Sequence, residues 1–148
     1  MKNTPRIVLL ISVIAFYSCG KKTEDHAHHH EPETSSASPT KALEDSVMAV
    51  HNEVMPKLDN IFKLTESLKD KVAKTPDMPD PKKKEIEAAI DSLNNASEGM
   101  MVWMRKFTPP APTDDPQAAR AYLKQEMVKV ERVKADILSS IERGKALQ

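Results

Sequence analysis

Apolar residues recur every three or four positions along most of this chain, the spacing of one face of an α-helix. Between residues 41 and 73 one such line comprises Leu43, Val47, Val50, Val54, Leu58, Ile61, Leu68 and Val72. Met48, His51, Met55, Leu58 and Phe62 form a second line beside it. The apolar face is therefore wide, as a helix packing on two neighbours requires. Pro56 interrupts this run. It removes one backbone N–H and crowds the carbonyl of Asn52, which predicts a kink without an end. A second helix is expected over about 81–107, marked by Ile86, Ile90, Leu93, Met100, Met104 and Phe107. Asp80-Pro81 reads as its start, a carboxylate cap followed by proline at the first helical position. Asn94, Asn95, Ser97 and Gly99 make its middle polar and slim. Asp115-Pro116 repeats the start signal for a third helix over about 116–146. Its apolar line runs through Tyr122, Leu123, Met127, Val130, Val133, Ile137 and Ile141, with Gly144 near its end.

Long helices joined by short proline-rich turns predict an all-α domain over 41–148, an antiparallel three-helix bundle. The turns also set the register. If Ala73 faces Pro81 across the first turn, His51 lies beside Trp103, Met48 near Met104, and Met55 near Met100 or Gly99. The second turn brings Arg120, Tyr122 and Leu123 to the same level. One end of the bundle thus collects Met48, His51 and Met55 opposite Met100, Trp103 and Met104. Thioethers and an imidazole are ligands that suit Cu(I), and an indole face can lie over a cation. The same residues also serve as core: methionine fills irregular gaps, and Trp103 reads as a core anchor with its indole nitrogen at the rim. His51 at the edge of the stripe has Asn52, Glu53 and solvent within reach.

Ahead of the helices the pattern changes twice. Lys2 and Arg6 precede the apolar run Ile7–Tyr17, which is shorter than the ~20 residues a bilayer-spanning helix needs. A basic lead, a short apolar run and the small residue Ser18 make an export signal. Cys19, the only cysteine, follows at once with Gly20-Lys21-Lys22. This stretch resembles the signal of bacterial lipoproteins, in which cleavage precedes a cysteine that carries diacylglycerol; Phe16 and Tyr17 depart from the usual leucine and smaller residue. The reading is a signal peptide over 1–18, then a lipidated Cys19 and a flexible tether over 19–40. The tether is poor in apolar residues, so nothing offsets the entropy of ordering it. As a coil it spans roughly 25 Å. It carries His26, His28, His29 and His30 among Glu24, Asp25, Glu31 and Glu33, a candidate Cu or Zn ligand cluster.

Charge narrows the partners. The chain has 22 basic and 22 acidic residues, and loss of the signal removes Lys2 and Arg6. A chain so balanced gives no reason to expect nucleic acid, which binds a concentrated basic surface. No Gly-x-Ser-x-Gly elbow, phosphate loop or His-Glu-x-x-His helix occurs, and Asp114 and Asp115 read as a turn and a cap, so the expectation is not an enzyme.

The stretches Val47-Met48-Ala49-Val50-His51-Asn52-Glu53-Val54-Met55-Pro56-Lys57 and Met100-Met101-Val102-Trp103-Met104-Arg105-Lys106-Phe107 resemble short Bacteroidota lipoproteins often labelled "viral A-type inclusion protein". Asn52 and Leu58 stand where that group has aspartate and methionine, which thins a Met-rich site. The group has no established activity, so the resemblance implies only helical form and an outer-membrane location, facing periplasm or cell surface. Acidic residues soon after the lipidated cysteine would favour the surface; Glu24-Asp25 fit, but Lys21-Lys22 intervene. The functional expectation is a lipid-anchored binding or interaction module, held to the membrane by its anchor, with an unidentified protein partner. The alternative is a copper or zinc binder using the tether histidines and the Met/His/Trp cluster.

Overall fold

A computed structural model describes residues 38–148; the expected signal over 1–18, Cys19, His26, His28, His29 and His30 lie outside the described residues. The described residues are all-α: three helical rods packed together, with no strand among them. The first rod has two segments, α1 (Pro39–Val54) and α2 (Lys57–Ala73); α3 (Asp80–Lys106) and α4 (Pro116–Lys145) are the others. No helix among the described residues is long and apolar enough to cross a membrane.

Each start has a local cause. Ser38 accepts a hydrogen bond from the Lys41 backbone N–H at 3.2 Å and Pro39 opens α1. Asp115 accepts from the Ala118 N–H at 2.9 Å ahead of Pro116, while Asp114 closes the preceding turn by accepting from the Ala111 N–H. At α3 the sequence expectation needs correction. Pro79 is the cap residue, Asp80 is already helical, and no side chain caps the end. Asp80 acts there only as negative charge in the first turn, which favours the positive pole of the helix.

Pro56 separates α1 from α2 without turning the chain. Met55 and Pro56 both keep right-handed helical angles, and the Leu58 N–H donates to the Met55 carbonyl at 3.2 Å. The rod continues past the missing N–H by a tighter local turn.

The core runs the length of the bundle. Val47, Val54, Leu68, Ile86, Leu93, Met100, Leu123, Val130 and Ile137 are fully buried. α1 packs on α4, whereas α2 packs on both α3 and α4. The rods alternate in direction. Trp103 reaches Glu126 and Phe107 reaches Tyr122, so α3 and α4 run antiparallel. Glu53 pairs with Lys134 at 2.7 Å while Lys71 reaches the carbonyls of Leu147 and Gln148, so the first rod and α4 run parallel.

Gly144 lies near the end of α4, which continues through Lys145. It is buried where α4 meets α2 and α3; a β-carbon there would lie 3.2 Å from Leu93 Cδ1 and 3.5 Å from Leu64 Cδ1. Close approach of neighbouring side chains, and not a left-handed cap, is what this glycine permits. Phe62 is the second correction. It was expected on the apolar face, yet it is 65% exposed. The α3 residues along the adjoining groove are Asn94, Ser97 and Glu98, too slim or polar to cover a phenyl ring.

Candidate functional site

Four rings cross the bundle at the end where α1 begins and α3 stops. The His51 and Trp103 rings stand 5.8 Å apart and tilted by 35°. Trp103 and Phe107, one helical turn apart, stack at 4.9 Å, and Phe107 faces Tyr122 at 6.2 Å. The Tyr122 hydroxyl accepts from the Thr108 N–H at 3.0 Å and so fixes the point at which the chain leaves α3. These rings come from α1, α3 and α4, and their register follows from the turn positions read off the sequence.

Trp103 is the centre of the row, and its polar handle is not at the rim. It is 5% exposed, and its indole N–H donates to Glu126 Oε2 at 2.9 Å. Glu126 is itself only 4% exposed. Its other oxygen accepts from Lys129 at 2.6 Å, and Lys129 remains largely in solvent. The pairing lifts the Lys129 pKa, chiefly through the hydrogen bond to Glu126 and against the pull of burial. The arrangement is a charge-assisted clamp that holds the indole in one orientation. Glu126 is the residue the sequence reading missed. It stands between Leu123 and Val130 at helical spacing, so a carboxylate on the apolar stripe was the available signal.

The other sequence-nominated residues fall into two depths. Met100 is fully buried within the core. Met48, Met55 and Met104 are half-buried and pack on the edge of that core. His51 is half-buried too, with Nδ1 3.0 Å from Asn52 Oδ1. Of the polar groups considered for it, Asn52 is therefore the partner, and Glu53 turns instead to Lys134. That ion pair lifts the Lys134 pKa, again chiefly through its hydrogen bond. Among the described residues no group of three or more His, Cys, Asp or Glu side chains could hold a metal ion. Whatever metal chemistry this end offers must use sulfur. His26, His28, His29 and His30, like Cys19, lie outside the described residues.

Several grooves open on the described surface. One of about 520 Å³ lies beside Tyr122, Lys106 and Pro109, and one of about 480 Å³ beside Lys41, Pro112 and Arg120. A third, of about 250 Å³, runs between α2 and α3 beneath Phe62. Its wall includes Thr65, whose buried hydroxyl has no hydrogen-bond partner. Compared with known proteins, the chain matches no family model, no curated protein and no solved structure.

Proposed function

We propose that this chain is a lipid-anchored protein of the cell envelope whose helical domain is a non-enzymatic binding or interaction module. The observation that carries the reading is Cys19, set directly after a basic lead, a short apolar run and Ser18. A thioether-linked diacylglycerol with an acylated amino terminus would hold the domain firmly, where a single chain would hold it only marginally. The resemblance of residues 47–57 and 100–107 to short Bacteroidota lipoproteins supports an outer-membrane placement. Phe62, exposed over the α2–α3 groove, supports an interaction role because the fold gains nothing by leaving that ring in water.

Intact mass measurement of the protein recovered from envelope fractions tests the anchor. The expected product lacks residues 1–18 and carries lipid on Cys19, and Cys19→Ala releases it from the membrane. An unmodified thiol on a membrane-free product would overturn the proposal.

A second reading, copper or zinc binding, is favoured by one contact, the His51 ring against the Trp103 indole. Here the tether histidines would collect the ion and the Met/His/Trp end of the bundle would hold it.

A further inference from the structure

We infer that the bundle itself carries a soft-metal site, in which Met48, His51 and Met55 bind one Cu(I) beneath the face of Trp103. The inference rests on the metal reading above and is independent of the anchor at Cys19. Its starting point is position. Residues 48, 51 and 55 follow one another at three- and four-residue steps and so share one flank of the first rod. All three are half-buried, reachable by an ion yet partly shielded from water. α1 packs on α4, so at this level the gap towards α3 is bridged by long side chains, His51 and Trp103 among them.

The donor set selects the ion. Two thioethers and an imidazole are soft to borderline ligands, and no carboxylate or thiolate cluster accompanies them among the described residues. Such a set disfavours Ca²⁺ and Mg²⁺, gives Zn²⁺ too few good ligands, and suits Cu(I). His51 is prepared for it. The 3.0 Å contact with Asn52 occupies Nδ1, so Nε2 is the ring nitrogen left for an ion. Trp103 is prepared as well. Its N–H is engaged by Glu126, so the ring is locked, and the negative charge at its edge enriches the π face that tilts over His51.

Core filling alone accounts less well for these methionines. Leucine at positions 48 and 55 would bury similar apolar volume while losing less side-chain entropy. What methionine adds is a polarizable sulfur.

Trp103 is the only tryptophan, so its emission reports the site directly. The full chain carrying Cys19→Ala, so that no thiol competes, is titrated with Ag(I), a redox-inert ion of the same charge and softness, and with Cu(I) under anaerobic conditions against a chromophoric competitor. One equivalent is expected to quench Trp103, and Zn²⁺ to leave it unchanged. Quenching should persist when His26, His28, His29 and His30 are all replaced by alanine. In Met48→Leu/Met55→Leu, affinity should fall by at least about tenfold with helical circular dichroism unchanged, and Asn52→Leu should weaken binding by about tenfold. Quenching that survives the double leucine variant, or binding lost only with the tether histidines, overturns the site while leaving the metal reading. No binding of either ion to any form overturns both.

Discussion

Removing the Glu126 carboxylate tests whether the buried clamp stabilises the bundle or is merely tolerated. Glu126 and Trp103 are both almost wholly out of solvent, and the indole N–H has Glu126 as its partner at 2.9 Å. In Glu126→Leu the volume is filled but nothing accepts the proton, and a buried unsatisfied donor costs about 1–3 kcal/mol. The partly offsetting term is relief of a desolvated carboxylate. Its other partner, Lys129, stays hydrated, so no buried cation is orphaned. Glu126→Gln keeps an acceptor oxygen at nearly the same place and should cost under about 1 kcal/mol. Urea denaturation followed by circular dichroism reads the difference. At a slope of about 1–2 kcal/mol per molar, Glu126→Leu should lower the midpoint by roughly 1–2 M and Glu126→Gln by much less. A double-mutant cycle isolates the contact. In Trp103→Phe there is no N–H to satisfy, so Glu126→Leu should become neutral or stabilising, a coupling of about 2 kcal/mol. Equal costs for leucine and glutamine, or a leucine cost unchanged by Trp103→Phe, would refute the reasoning.

Thr65→Val removes the buried hydroxyl that lacks a partner while keeping the shape of the side chain, and should stabilise by about 1 kcal/mol in the same denaturation assay. The two helical glycines should respond in opposite directions. Gly99 has no atom within 4 Å of a built β-carbon, so Gly99→Ala should gain about 0.5–1 kcal/mol. Gly144→Val must displace Leu93 and Leu64 and should lose about 1–3 kcal/mol, read as a lowered thermal midpoint. The raised pKa of Lys134 makes a pH-dependent contribution: it is full below the ordinary lysine value of about 10.4 and is lost as pH rises through the folded value. Melting temperatures from pH 9 to about 12 should therefore fall more steeply in the parent than in Glu53→Gln, where the hydrogen bond that raises it is gone.

The three rods, their order and the level at which His51 meets Trp103 were legible because they depend on periodicity and turn position alone. Once two antiparallel helices share a short turn, every facing pair is set by counting back from it. What counting cannot resolve is which polar residue on an apolar stripe turns inward. Glu126 and Thr65 both stand at core spacing and both are buried, yet one is satisfied twice and the other has no partner. The facing helix offers Glu126 an indole N–H, whereas no donor or acceptor reaches Thr65. Phe62 also departs from its spacing because of what faces it. Its own helix places it at the edge of the apolar face, and the absence of a bulky residue opposite leaves it in water.

The clamp on Trp103 also bears on how the end of the bundle could recognise anything. A large aromatic ring at the edge of a core would otherwise retain rotamer freedom and lose it on binding, at about 0.5–1.5 kcal/mol for each side chain ordered. Here the Glu126 hydrogen bond, the stack on Phe107 and the Phe107–Tyr122 contact oppose rotation of the indole before any ligand arrives. His51 is restrained in turn by Asn52. Binding at this end would then need reorganisation mainly of the half-buried methionines, the most adaptable side chains in the set. The α2–α3 surface around Phe62 has no comparable restraint, since its ring faces solvent over a groove with slim, polar α3 walls. Of the two surfaces, the His51 end is therefore the one whose rings are held in place beforehand.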